Sequence, residues 1–453
     1  DSDMNEPQAN PERGKEVFAT DRAHVFHSWS AQAQISPLPI AGGSGSYIWD
    51  FDGKKYLDFS GQLVFTNIGF QHPKVVAAIQ KQAAELTTIA PQHANEARGE
   101  AAKRITARAG KHHNKVFFTN GGADAVENAI RMARLHTNRH KILSFYRSYH
   151  GNTTSAIAST GDPRRWPNEY AFGHIHFFGP YLYRSPFWAT TEEEECKRAL
   201  EHLEQVIIFE GPNTIAAILI ESVVGTAGVI IPPAGYLEGV RALCDKYGIK
   251  WIADEVMAGF GRTGKWFAYQ HSSAEPDLIV FAKGVNSGYV PLGGVIISDE
   301  IAKTFDDRVF PGGLTYSGHP LACAAAVATL DAMAEEKIVE NAADMGERVI
   351  KPLIHELMAK YKVIGEVRGR GVFWALDLVK DRTTREPLAP YGGTSPAITE
   401  LVGACKKLGL MPFTNYNRMH ICPPCNVSEA ELREGFAILD QAFSAISSHY
   451  TGN

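Results

Sequence analysis

Long apolar runs are missing from this chain. None reaches the length of a membrane-spanning helix, and no charged-then-apolar leader precedes the polar first residues, so neither a membrane anchor nor a secretory leader is expected. Basic excess is missing too: 45 Lys and Arg stand against 50 Asp and Glu, a formal net charge of −5, and the lack of a basic stripe argues against a nucleic-acid partner. Cysteine is scarce, six residues in 453, which is too few for a disulfide framework and fits a reducing cytoplasm. Cys422-Pro423-Pro424-Cys425 has CxxC spacing, but no second pair or ligand cluster supports a metal site. Two partly buried thiols beside a Pro-Pro bend are expected there instead. Repeats and low-complexity segments are also absent. What is plentiful is core material: 44% of the residues are hydrophobic, over a length that suits about two or three domains.

The apolar residues are organised. Tyr47-Ile48-Trp49-Asp50 and Lys55-Tyr56-Leu57-Asp58-Phe59 flank an Asp-Gly pair and read as a hairpin. His72-Pro73 opens a helical pattern carrying Val75, Val76, Ile79 and Ala83. From about residue 100, short apolar runs alternate with helical stretches: 116–118, 142–145, 215–220, 251–253, 278–282 and 294–297, with helices expected over 125–135 and 236–246. That alternation predicts an α/β fold with a mostly parallel sheet covered on both faces. Past His319-Pro320 the pattern continues as a small-residue helix, further helices to 360, strands within 363–378 and a closing helix over 429–447. Residues 1–15 are polar and turn-rich and are expected to be loosely held. The acidic run 192–195 is expected to be a solvated helix start.

Charged residues stop several of the buried runs. Asp254 follows Trp251-Ile252-Ala253, Lys283 follows Leu278-Ile279-Val280-Phe281-Ala282, and Glu221 ends the run that starts at Ile215. Ligands of open α/β sheets bind beyond the carboxyl ends of parallel strands, so these three groups are expected to meet at one site. Buried charges must be paired or neutralised, which favours convergence over chance packing. Phe118-Thr119-Asn120-Gly121-Gly122-Ala123-Asp124 is a strand running through glycines into a helix, a junction whose amides suit a phosphate. Asp124 and Glu127 in its first turn would stabilise that helix terminus. Tyr149, in Ser148-Tyr149-His150-Gly151, sits past another strand end, where a ring could stack on it.

Asp254-Glu255-Val256-Met257-Ala258-Gly259-Phe260-Gly261-Arg262-Thr263-Gly264, followed by Ala282-Lys283-Gly284, resembles the class III pyridoxal-phosphate-dependent aminotransferases. The resemblance runs from about Tyr47 to Pro424. It implies a fold-type I architecture: a large cofactor domain over 71–330 and a smaller α+β domain built from residues 1–70 and 331–453. It also implies a homodimer with shared active sites. By the same resemblance, Lys283 carries the cofactor covalently, Asp254 pairs with the pyridine nitrogen, and Val256 and Tyr149 flank the ring. Gly122 and Ala123 form the phosphate turn, and His150 and Glu221 complete the surroundings. Thr315 and Tyr316 come from the partner subunit's copy of Leu314-Thr315-Tyr316-Ser317-Gly318-His319-Pro320. Trp29, Leu63, Val64 and Arg418 are expected to line the substrate pocket.

The chain departs from the family in four places. Gly121-Gly122-Ala123 replaces a common Ser-Gly-Ser, so a hydroxyl contact to phosphate is missing, and His319 stands where Asn is common. Phe413 falls where many relatives carry a mobile carboxylate-binding arginine, leaving Arg418 and His420 nearby. Val64 stands where several relatives have a bulky aromatic, which would leave more room. The activity implied is an ω-type aminotransferase that moves an amino group from an amine or ω-amino acid to pyruvate or a similar 2-oxo acid, with ping-pong kinetics. An aminomutase, a decarboxylating aminotransferase, or a cofactor-binding protein without turnover are the alternatives on the same scaffold.

Overall fold

The computed structural model describes residues 6–453. Strands β1 (Ile40–Ser44), β2 (Tyr47–Asp50) and β3 (Lys55–Asp58) come first, and β2 pairs with β3 in the expected antiparallel hairpin. Within the segment 1–15, residues 1–5 lie outside the described residues, but from Pro11 the chain is not loose. A helix spans Pro11–His24, with Pro at its start and the Asn10 side chain accepting from the Arg13 amide at 3.3 Å. Asn-Pro is a cap followed by a first-turn proline, so what reads as turn chemistry is a helix start. The Asn10 amide donates to the Phe51 carbonyl at 2.7 Å and ties this helix to the hairpin.

The next seven strands are β4 (His113–Thr119), β5 (Lys141–Phe145), β6 (His174–Phe177), β7 (Ile215–Glu221), β8 (Lys250–Asp254), β9 (Leu278–Phe281) and β10 (Gly293–Ser298). They form one sheet in the order β4-β10-β9-β8-β7-β5-β6. Only β10 runs against its neighbours, so the sheet is mostly parallel as expected. Side chains alternate between its faces. Ile218, Ile220, Trp251, Ala253, Ile279 and Phe281 join one core, while Ala217, Leu219, Ile252, Leu278 and Val280 join another. The helix Gly122–Thr137 packs across β7 to β10, and Tyr236–Tyr247 packs on β8. Burial on both faces explains why these strands read as continuous apolar runs.

β6 was not anticipated, because His174 and His176 interrupt its apolar residues. Burial pushes both imidazoles down to about 4, so both are neutral: buried His174 is bonded to Ser159 Oγ at 2.7 Å and half-buried His176 to the Thr160 carbonyl at 3.0 Å. The acidic run 192–195 does begin a helix, Glu192–Glu210. Glu195 departs from the expected solvated start: it is fully buried and accepts from the Tyr181 amide at 2.9 Å and from the Ser185 hydroxyl.

The C-terminal part adds β11 (Ile364–Arg370), β12 (Phe373–Leu378), β13 (Leu410–Met411), β14 (Phe413–Asn415) and β15 (Arg418–Ile421), with an unanticipated helix Pro396–Lys407 between them. β11-β12-β15-β14 form an antiparallel sheet, whereas β13 pairs in parallel with β3 and completes the first sheet. The closing helix Glu429–Ile446 reaches the same place, with the Tyr47 hydroxyl on Glu434 at 2.6 Å. Residues from the two chain ends therefore share one layer. Cys422 and Cys425 are fully rather than partly buried, all six cysteines are unbridged, and no cluster that could hold a metal occurs among the described residues. Among those residues no helix is long and apolar enough to cross a membrane.

Candidate active site

The expected convergence is present. β7 and β8 are adjacent, with Glu221 opposite Asp254, and β9 delivers Lys283 just past Phe281. Lys283 has φ +45°, a backbone conformation a non-glycine residue holds only at a cost, as is common where side chains are aimed for function. Burial lowers its amine to about 8, although Asp254 and Glu221 both pull it upward. Asp254 accepts from the Val256 amide at 3.0 Å and from His150 Nδ1 at 2.7 Å. With Nδ1 turned to the carboxylate, Nε2 of this buried imidazole is left without a partner among the described residues. Glu221 accepts from the amides of Tyr149 and Gly225, each at 3.1 Å, and its carboxyl is raised to about 7 by burial, against the opposing pull of His150.

The glycine junction lies against this cluster. A Cβ on Gly122 would come within 3.0 Å of Val256 Cγ2, so the start of the helix and the residue after the acid touch. Gly151 has φ +131°, and a Cβ there would lie 2.5 Å from that of Ala123. Asp124 accepts from the amides of Asn120 and Gly121, at 2.9 and 3.0 Å. Amides of the first helical turn have no partner within the helix and remain for an anion. Glu127 does not serve this terminus. It accepts from the amides of Ser155 and Ala156, each at 3.0 Å, and so caps the neighbouring helix Thr154–Ser159.

The other expected residues are more scattered. Thr315 is exposed and Tyr316 is 57% exposed, and no contact ties either to Lys283 or Asp254 within this chain. Trp29 is exposed, with the Arg164 guanidinium 5.7 Å from its ring centroid. Leu63 is half open, but Val64 is fully buried among Val223, Val229, Ala258 and Phe373. Arg418 is buried against Gly228 and bonded to Asn415. His420, bonded to the Gly225 carbonyl at 3.0 Å, is pushed by burial down to about 3 and is neutral, and Phe413 packs edge-on against it at 4.9 Å.

Two arginines for which the sequence suggested no role complete the picture. Arg164 lies 3.5 Å above the centre of the Tyr149 ring, and its only sequence signal is the charged turn Asp162-Pro163-Arg164-Arg165. Arg262, inside the motif that begins at Asp254, is fully buried without a carboxylate. It donates to the carbonyls of Val372 (3.1 Å) and Pro423 and to Asn67 (3.1 Å), which fixes the Pro-Pro bend under the site.

The sequence profile of the family Aminotransferase class-III matches residues 29–443. The chain belongs to the class-III aminotransferases. Like the rest of the family it is an enzyme that depends on pyridoxal 5'-phosphate, and its fold is fold type I. It is 33% identical over 457 residues to the taurine–pyruvate aminotransferase of Bilophila wadsworthia, covering 96% of this chain and 98% of that protein. The 5-aminovalerate aminotransferase of Pseudomonas aeruginosa is 35% identical over 425 residues, 91% of this chain and 95% of that protein. A solved taurine:2-oxoglutarate aminotransferase of Bifidobacterium kashiwanohense, in complex with the cofactor and glutamate, superposes with a TM-score of 0.94 at 43% identity over 97% of this chain and 99% of that one. The residues fit the cofactor: a buried amine lowered to about 8, a carboxylate braced by a histidine, and a helix start with free amides converge from four strand ends.

Proposed function

We propose that this aminotransferase takes its amino group from a primary amine or ω-amino acid and passes it to pyruvate or a similar 2-oxo acid. The observation that carries the reading is the Lys283 amine, buried just past β9 beside the Asp254 and Glu221 carboxylates at the strand ends, with burial lowering it to about 8. The similarity to taurine and 5-aminovalerate enzymes supports the choice of donor class. When bound, the cofactor supplies an aldehyde for amine exchange and a ring that accepts the electron pair left by a broken Cα–H bond. Lys283 would hold it covalently, then act as the base that removes the substrate Cα proton and later gives it back. Asp254, oriented by His150 and the Val256 amide, would pair with the ring nitrogen, and Glu221 would keep Tyr149 and the Gly225 turn in place. Val256 and Tyr149 would flank the ring, with the amides of Gly122 and Ala123 on the phosphate.

The exposed Thr315 and Tyr316, with the open apolar surface of Phe26, Tyr170, Phe172 and Val309, support a homodimer in which the partner completes each phosphate site. The sheet shared by β1–β3 and β13 supports a small domain from residues 1–70 and 331–453 around a cofactor domain at 71–330. Six unbridged thiols fit a cytoplasmic location. The test is a panel of amines run against pyruvate and 2-oxoglutarate with the holoenzyme. Expected are one-to-one formation of carbonyl product and amino acid, parallel double-reciprocal lines and no carbon dioxide. No exchange with any pair, or substantial turnover surviving in Lys283→Ala, would overturn the reading.

A further inference from the structure

The substrate side of the site lacks an obvious anion receptor. Arg184 and Arg368 are committed to Asp377, at 3.0 and 3.1 Å. Arg418 is sealed behind Gly228, Arg147 lies over Tyr181 and Tyr391, and His420 carries no charge. Arg147 also stacks on aromatic rings, with no carboxylate paired to it among the described residues, so what sets Arg164 apart is its place against Tyr149. Its guanidinium lies 3.5 Å from the centroid of Tyr149, the ring at the mouth of the cofactor site, and its charge is felt at Lys283. Asp162 takes one edge of it, with Oδ2 on Nη2 at 2.7 Å and on Nε at 3.1 Å. The Nη1 edge has no hydrogen bond among the described residues, and the side chain is 24% exposed. Asp162 is itself fixed, its amide donating to the Ser148 carbonyl at 3.1 Å, one residue before Tyr149.

Stack and ion pair together remove most of the rotamer freedom that a free arginine would lose on binding, and a planar guanidinium with one open edge is shaped for a carboxylate or sulfonate. Within the reading given under Proposed function, the geometry points to Arg164 as the residue that recognises an anionic group at the far end of the substrate. That group is the carboxylate or sulfonate of an ω-amino acid donor and the distal carboxylate of a 2-oxo dicarboxylic acceptor. This arginine is a fixed one, donated by the turn that follows the helix Thr154–Ser159 and held there by Asp162.

The test compares donors matched in shape but not in charge. With the holoenzyme, kcat/KM is measured for β-alanine, for its neutral isostere β-alaninamide and for taurine, in wild type, Arg164→Gln and Arg164→Lys. Glutarate, an unreactive dicarboxylate, is titrated separately for its Kd. Wild type is expected to prefer the anionic donors, and the larger of the two preferences identifies carboxylate or sulfonate as the natural group. In Arg164→Gln the preference falls about 10- to 150-fold, the loss of one charge-assisted contact, and glutarate weakens by a similar factor. Arg164→Lys keeps part of both. A preference that survives in Arg164→Gln, or charged and neutral donors falling together while glutarate binding is intact, overturns the proposal. If no donor reacts at all, the transamination reading itself fails, and an unchanged glutarate Kd in Arg164→Gln then overturns this one separately.

Discussion

The amine of Lys283 offers the most direct measurement. An ordinary lysine sits at 10.5, and here burial brings it to about 8. That difference corresponds to about 3 kcal/mol in favour of the neutral amine. At pH 7 roughly a tenth of the population is then neutral, about 300-fold more than for an exposed lysine. The sign for stability follows: the folded value lies below the unfolded one, so the folded apoprotein bears the full cost of this charge below about pH 8 and is relieved of it as pH rises to 10.5. In the apoprotein, the rate of Lys283 modification by a small amine reagent, followed by peptide mapping, should reach half its plateau near pH 8. Asp254→Asn and Glu221→Gln each remove a charge that raises the amine and should move that midpoint lower, while Arg164→Gln removes one that lowers it and should move it higher. A midpoint at or above pH 10, or shifts of opposite sign, would refute the account of burial opposed by two carboxylates.

Asp254→Asn should keep the cofactor bound but lower kcat by roughly 100-fold or more, the scale of a lost proton-handling group, as single-turnover kinetics would show. Gly151→Ala forces a Cβ to within 2.5 Å of Ala123 at a positive φ, so it should destabilise the fold by about 1–3 kcal/mol and weaken cofactor retention, measured by urea unfolding and by dialysis. Arg262→Met leaves buried carbonyls at Val372 and Pro423 without their donor and should cost about 3 kcal/mol or more in the same unfolding assay. Thr315→Val should weaken cofactor binding while leaving the monomer's unfolding curve within about 0.5 kcal/mol, since its side chain is exposed.

The strands of the large sheet were legible because burial on both faces makes them unbroken apolar runs, and the charges that end them stand out for the same reason. Glu221, Asp254 and Lys283 need only the rule that parallel strands open their carboxyl ends to one side. The rule fails where polar residues are neutralised locally. β6 was hidden by two histidines that burial keeps uncharged, and Glu195 could not be told from Glu192 to Glu194, because its partners are the Tyr181 amide and the Ser185 hydroxyl. Glu127 shows the limit again: its position in the first helical turn suggests one role, and two amides from another helix give it a different one.

The two halves of the site differ in the same way. Strand-end residues are placed by sheet topology, so their chemistry follows from order along the chain. Trp29, Leu63, Arg164 and Arg418 come from a chain end, a hairpin exit, a loop and a late strand, and nothing local fixes their separation. Arg164 reaches Tyr149 only because Asp162 is pinned to the Ser148 carbonyl, which closes the loop between them. On the reading proposed above, substrate choice would rest on loop closure while cofactor chemistry rests on the sheet. Substitutions at 162–164 should redirect donor preference without disturbing the titration of Lys283 beyond the field of a single charge.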